Sequence, residues 1–302
     1  MRLALLALLI AGCRSHPQQP TLHTYEQDIM HMHLVVHTPR TSKVEAIIKK
    51  TFKQVDQIFN NWNQDSEISK LNQLPAYQRV EISSELATLL QQTAHIVEIT
   101  DGRFDPTVGP LVHMWKTHLK NGTIPSQSEL LSISEAVGWD KIHLEGTVFY
   151  KEDPRIEIDL CGIAKGYALD LLVERLGGNS YAEWGGEIST IGPHPDHRKW
   201  RVGILGGEVV EIEDKCVATS GGYLQKWEVD GVEYTHLINP RTNSPLIYGK
   251  GIASATVIAD SCMKADAIAT SLMFFSTKEE AEAWASKLDI EIRLIDFESW
   301  KY

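Results

Sequence analysis

Basic residues are scarce in this 302-residue chain: 29 lysines and arginines stand against 40 acidic residues, a formal net charge of −11. No basic stripe offsets that balance, which argues against general nucleic-acid binding and means that any polyanionic ligand needs local cations or a metal. Cysteine is scarce too, with four in all and no C-x-x-C. Apart from Cys13 they are Cys161, Cys216 and Cys262, too few for a disulfide framework; they are expected as buried small hydrophobes, with one pair allowed. H-E-x-x-H, G-x-S-x-G and the Walker and Rossmann glycine patterns are missing. His31 and His33 alternate along a strand and His194 and His197 flank a Pro-Asp loop, but neither pair has a third ligand nearby, which disfavours zinc. There is no internal repeat and no low-complexity segment.

The N-terminus carries an address. Arg2 precedes the apolar run Leu3 to Ala11, far shorter than the ~20 residues of a membrane-spanning helix and laid out as a secretory signal. Its ending, Leu9-Ile10-Ala11-Gly12-Cys13, looks like a bacterial lipoprotein box. The expectation is a signal over residues 1–12, a lipidated Cys13 with a polar tether over 13–22, and one domain over 23–302. Acyl chains would hold such a protein on a membrane without spanning it, in the bacterial cell envelope and facing the periplasm.

Along the domain, Glu26 to Thr38 reads as a strand. Thr41 to Trp62 carries the helical stripe Val44, Ile47, Ile48, Val55, Ile58 and Phe59. Ser84 to Ile99 is a second helix, stopped by Asp101-Gly102, and Ser126-x-x-Glu129 is a capping box before a helix through Val137. Ile142 to Tyr150 and Arg155 to Leu160 read as strands, and Ala164 to Leu176 as a helix closed by Gly177-Gly178. Short strands with intervening turns then run from Ser180 to Ile238. Strand Gly251 to Ala259, helices Ser261 to Phe275 and Lys278 to Lys287, and strand Glu291 to Phe297 complete the chain. Helices first and hairpin-like strands later predict an α+β fold rather than a regularly alternating parallel sheet.

Five places could carry chemistry. Ile158-Asp159-Leu160-Cys161-Gly162-Ile163-Ala164-Lys165-Gly166 is a turn into a helix, whose unpaired N–H groups and lysine suit an anion such as a phosphate ester, although G-x-x-K-G also occurs in ordinary turns. Asp266 and Thr270, four apart on a helix, share a face and offer hard oxygens to Mg2+, unless Thr270 merely bonds back within its helix. His236, beside Pro240 and Arg241, is matched to general-base work near neutral pH or is a structural strand histidine. Asp101 to Pro110 crowds acidic, aromatic and hydroxyl groups at a helix stop, and Trp62 ends a helix where its ring could stack on a planar ligand.

Taken in order, Trp62-x-x-Asp-Ser-Glu-Ile-Ser-x-Leu-Asn72, Gly102-x-Phe-Asp-Pro-Thr-Val-Gly-Pro-Leu-Val112, Asp159-Leu-x-Gly-Ile-Ala-Lys-Gly-Tyr-Ala168, Gly185-Gly-Glu-Ile188, Ala218-Thr-Ser-Gly221, His236-x-Ile-x-Pro-Arg-Thr242 and Ala265-Asp-x-x-x-Thr270 resemble the ApbE family of FAD:protein FMN transferases. The resemblance runs from about Met30 to Phe275. It implies a single large T-fold-like α+β domain, a mostly antiparallel sheet with packed helices. It implies FAD as substrate, Mg2+ as cofactor, and as partner an acceptor flavoprotein subunit of a membrane redox complex. By resemblance, Met30, Trp62, Arg103, Phe104, Asp105, Asp159, Lys165 and Ile238 would bind FAD. The Gly162 carbonyl, Asp266 and Thr270 would hold Mg2+, and His236 would take the proton of an acceptor threonine or serine hydroxyl while AMP departs. With water as nucleophile the same site would be an FAD pyrophosphatase; without turnover it would be an FAD-binding lipoprotein. Three departures from the family pattern stand out: Met30-His31-Met32 for Met-Gly-Thr, Asn239 for Asp, and Asn243 for Gly. Loss of a carboxylate at Asn239 is expected to weaken the orientation of His236.

Overall fold

The computed structural model describes residues 21–223 and 225–300; the expected signal, Cys13 and the tether as far as residue 20 lie outside them. A seven-stranded sheet forms the centre, in spatial order His23–Ile29, Met32–Thr38, Ser180–Trp184, Glu187–Ile191, Cys216–Gly221, Ile252–Ala259 and Glu291–Asp296. Every pairing in it is antiparallel. Ile252–Ala259 is buried at all eight positions, as an almost unbroken run of apolar and small residues requires when both faces of a strand are covered.

One face of the sheet packs on the helices Val44–Ile58, Ser84–Ile99, Ala164–Leu176 and Cys262–Leu272, through residues such as Leu34, Val36, Ile48, Phe52, Leu90, Leu169 and Trp184. The other face is capped by a ribbon of Trp200–Gly203 and Val209–Ile212. Its alternate residues Trp200, Val202, Val210 and Ile212 turn inward onto Tyr181, Ile188, Val217 and Ile258, the period-2 pattern of a half-buried strand. A separate three-stranded sheet, Lys226–Val229, Val232–Asn239 and Ser244–Ile247, packs on helix Gly109–Lys120 through Leu111, Trp115, Leu119, Val229 and Ile238. The architecture is α+β and mostly antiparallel, as the sequence predicts.

Ser84–Ile99 and Ala164–Leu176 form as expected, and the Ser126/Glu129 capping box closes both of its bonds. Other expectations are corrected. Glu26 to Thr38 is not one strand but a hairpin, turning on Met30 and His31 at φ 49° and 63°. Such a turn normally advertises itself with Asn or Gly, and here it has neither. Ile142 to Tyr150 is likewise a hairpin, reversed at Gly146 (φ 65°). Arg155 to Leu160 joins no sheet and makes a single bridge, Glu157 to Val108. Helices Gly109–Lys120 and Glu67–Asn72 were not anticipated; the first starts at a proline in its opening turn, read from sequence as part of a loop. Cys216 and Cys262 are buried as expected, whereas Cys161 is exposed, and all three are free thiols.

Candidate active site

A cleft of ≈ 780 Å³ is lined from both sheets and from the loops between them. Its floor begins at the segment before the Gly162 turn, where two asparagine amides replace a missing ladder. Asn72 accepts from Ile158 N at 2.8 Å and donates to Ile158 O at 3.0 Å, while Asn61 donates to Ile158 O at 2.7 Å and accepts from Leu160 N at 2.9 Å. Buried main-chain groups must find partners, and these two side chains fix the extended backbone that presents Asp159 and Gly162. Asp159 then closes the turn by accepting from Cys161 N at 2.8 Å.

Two glycines bring the next pieces together. A Cβ on Gly162 would come within 2.9 Å of the Phe104 ring and 3.7 Å of Thr270 Oγ1, so this main chain lies directly beside the threonine. A Cβ on Gly166 would stand 2.3 Å from the Cys262 carbonyl oxygen. Helices Ala164–Leu176 and Cys262–Leu272 therefore touch backbone to backbone, which carries Asp266 up to Lys165. Lys165 Nζ lies 3.3 Å from Asp266 Oδ2 and bonds Glu187 Oε1 more closely still. Burial alone would lower the Lys165 ammonium, but Asp266 and Glu187 outweigh it and hold its pKa above the ordinary value. Burial pushes both carboxyls up, against the opposing pull of Lys165. Glu187 Oε2 is buried with no hydrogen-bond partner among the described residues. Thr270 Oγ1 is 3.0 Å from Ser220 Oγ.

No group of three or more His, Cys, Asp or Glu side chains suited to a metal occurs among the described residues. A cation here would rely on one carboxylate, a hydroxyl, a main-chain carbonyl and ligand oxygens, the donor set of Mg2+ rather than of zinc. The orphaned Glu187 oxygen and the closeness of Gly162 to Thr270 fit such an ion. Helix Ala164–Leu176 has no side-chain N-cap; Ala164 N donates to the Leu160 carbonyl oxygen at 2.8 Å and Gly166 N to Asp266, so an anion at this turn would rely on Lys165, through its main-chain N–H and its ammonium.

The Asp101 to Pro110 loop forms the wall. Arg241 Nη2 donates to the Asp101 carbonyl oxygen at 2.6 Å and to its carboxylate, clamping the loop to the second sheet. Arg103 lies over the Phe275 ring at 4.3 Å. Both oxygens of Asp105 are engaged, Oδ1 by Thr107 N and Oγ1 at 2.9 and 2.6 Å and Oδ2 by Trp139 N at 3.1 Å; its carboxylate braces the loop. Trp62 is 75% exposed at the mouth, with Lys116 Nζ 4.9 Å from its ring centroid.

His236 projects from the middle of Val232–Asn239. Its Nδ1 is 3.4 Å from the Gln225 carbonyl oxygen, a long contact in which only nitrogen can donate; this tautomer leaves Nε2 with a lone pair. Burial lowers the imidazole pKa, assisted by Lys165 and Lys116 and opposed by the Gln225 carbonyl. Asn239 Oδ1 accepts from Arg241 N at 2.9 Å within the proline turn.

Trp62, Arg103, Phe104, Asp105, Asp159, Gly162, Lys165, His236, Ile238, Asp266 and Thr270 all line the cleft. Met30 does not; it sits in the first hairpin turn, half-buried against the main core. Sequence reasoning gave no role to Glu187, Ser220, Asn61, Asn72 or Gln225. Glu187 and Ser220 lie within motifs already visible, Gly-Gly-Glu and Ala-Thr-Ser-Gly, but the ion pair and the hydroxyl contact depend on tertiary pairing.

Comparison with known proteins matches residues 24–294 to the ApbE family. The FAD:protein FMN transferase of Chlamydia pneumoniae is 40% identical over 293 residues, covering 93% of each chain. That of Vibrio cholerae is 30% identical over 307 residues, 95% of this chain and 90% of the relative. Among solved structures, the apo flavinyl transferase ApbE of Pseudomonas stutzeri superposes with a TM-score of 0.81 at 25% identity, covering 91% of both chains.

Proposed function

The chain belongs to the ApbE family, and from that premise we propose that it is a FAD:protein FMN transferase, moving FMN from FAD to a threonine or serine hydroxyl of an envelope flavoprotein in an Mg2+-dependent reaction that releases AMP. The observation that carries the proposal is the convergence on one cleft of the Gly162 main chain, the Asp266 carboxylate, the Thr270 hydroxyl and the His236 imidazole, whose pKa burial lowers. The acceptor oxygen attacks the FMN-side phosphorus, the bond to the bridging oxygen breaks, and AMP leaves with that oxygen. His236 Nε2 takes the hydroxyl proton. Lys165 sets the charge beside the phosphates and fixes Asp266 and Glu187. The uncapped turn at Gly162 to Lys165 binds the diphosphate, while Trp62 and Phe104 bracket planar and apolar parts of FAD. Bound Mg2+ would neutralise phosphate charge as it shifts in the transition state.

The relatives' printed names support flavin transfer. Mg2+, the acceptor, and anchoring at Cys13 on the periplasmic side are our reading of the donor set and of the N-terminal sequence. The test is AMP release from FAD and Mg2+ with and without an acceptor flavoprotein subunit. Acceptor-dependent AMP supports transfer. Equal AMP without acceptor marks a pyrophosphatase, and no AMP in either case marks a binding protein.

A further inference from the structure

Asp170 has no part in the site as described, yet it is a half-buried carboxylate aimed at the start of the helix that bears Asp266 and Thr270. Its Oδ1 accepts from Cys262 N at 2.9 Å; its Oδ2 accepts from Ser261 Oγ at 2.9 Å and from Met263 N at 3.1 Å. The first N–H groups of a helix have no partner within it. Here Asp170 takes two of them from another helix, and Ser261, itself held by Asp170, caps a third by accepting from Lys264 N. An anion at this end also complements the helix dipole.

Asp170 lies four residues after Gly166 on helix Ala164–Leu176, and hence on the same face. Gly166 meets Cys262 and Met263 through bare backbone contact. The two helices are therefore pinned at successive turns, once by contact and once by hydrogen bonds. Asp266 follows Cys262 by one turn and Thr270 by two. Both the rotation and the axial register of the donor helix, relative to Gly162 and Lys165, pass through this pin.

We propose that Asp170 is a positioning residue for the cation seat, holding the helix of Asp266 and Thr270 in register with the Gly162 turn without touching the ion or FAD. The inference rests on the Mg2+ reading above. Outer-shell partners of metal ligands typically set 10–100-fold in metal affinity. Asp170→Asn keeps the shape but turns one acceptor oxygen into a donor, which faces either a main-chain N–H or a hydroxyl that already donates.

Mg2+ affinity is measured by calorimetry on the FAD-loaded full chain without acceptor, and riboflavin affinity, which has no phosphate to sense a metal, is measured in parallel. The expected result for Asp170→Asn is Mg2+ binding ~10–100-fold weaker with riboflavin binding unchanged within about 2-fold. Wild-type Mg2+ affinity in Asp170→Asn, or equal loss of Mg2+ and riboflavin, overturns the inference. Should Asp170→Asn fail to fold, Ser261→Ala, which removes one of the three bonds from Asp170 to the start of the donor helix, must weaken Mg2+ selectively, and unchanged Mg2+ affinity there overturns it equally. A wild-type protein that binds no Mg2+ overturns the metal reading itself, and the role of Asp170 with it.

Discussion

Gly166→Ala puts the packing argument at risk most sharply, because two principles give it opposite signs. In a helix, alanine is intrinsically better than glycine by up to ~1 kcal/mol, so on local grounds the variant should be more stable. Its methyl, however, would stand 2.3 Å from the Cys262 carbonyl oxygen, 2.4 Å from the carbonyl carbon and 2.5 Å from Met263 N. These are main-chain atoms, and no rotamer change relieves them. Reaching ordinary contact requires helix Cys262–Leu272 to retreat by about 1 Å. Overpacking costs ~1–3 kcal/mol, and a clash this deep against main-chain atoms falls at the upper end, which leaves a net loss of ~2 kcal/mol after the helix gain, or a Tm a few degrees lower in a chain of this size. The same retreat draws Asp266 and Thr270 away from Gly162, and a misplacement of ~1 Å in an active site costs ~100-fold in rate. Calorimetric melting and a flavinylation time course read the two effects separately. A variant as stable as wild type, or transferring FMN at the wild-type rate, would refute the close helix contact as the device that assembles the cation seat.

Asp266→Ala should fold and lose Mg2+-dependent turnover, since a hydroxyl and a carbonyl are then the remaining protein donors; normal activity at low Mg2+ would remove the ion from this position. Lys165→Ala should weaken FAD binding much more than riboflavin binding by calorimetry, and equal losses would show that the lysine does not act on the diphosphate. His236→Ala should keep near-normal FAD affinity while transfer falls by ~10²–10⁴-fold. The lowered imidazole pKa keeps the wild-type base neutral at pH 7, so its rate should fall only on acidification below the ordinary histidine value of ~6.5. The alanine variant should lose that acid limb, and an identical pH profile in both proteins would assign the base elsewhere.

Much of the site was readable because its groups cluster in short segments: the Asp159 to Gly166 turn, the Asp266/Thr270 helical pair and the Gly102 to Pro110 loop each announce their chemistry locally. Partners from distant segments could not be read. Glu187 reaches Lys165 only because the hairpin of Ser180–Trp184 and Glu187–Ile191 lies beside helix Ala164–Leu176, and Asn61 and Asn72 meet Ile158 across 97 and 86 residues of sequence. These amides also explain why Arg155 to Leu160 reads as a strand: its backbone is extended, but Ile158 and Leu160 bond asparagine side chains where a neighbouring strand would stand. Helix Gly109–Lys120 was obscured by the loop chemistry just before it, and the Met30-His31 turn by the absence of any turn residue. Asn239, expected to bear on His236, also closes its own proline turn with Arg241 N, a contact set by the local turn.

The most direct test of the central claim is mass spectrometry of an acceptor flavoprotein subunit after incubation with the enzyme, FAD and Mg2+, with AMP counted in the same reaction. Transfer predicts one FMN covalently attached to a threonine or serine through a phosphoester, one AMP per flavin bound, and neither product when that acceptor residue is replaced by alanine. AMP accumulating while the acceptor keeps its unmodified mass would contradict it.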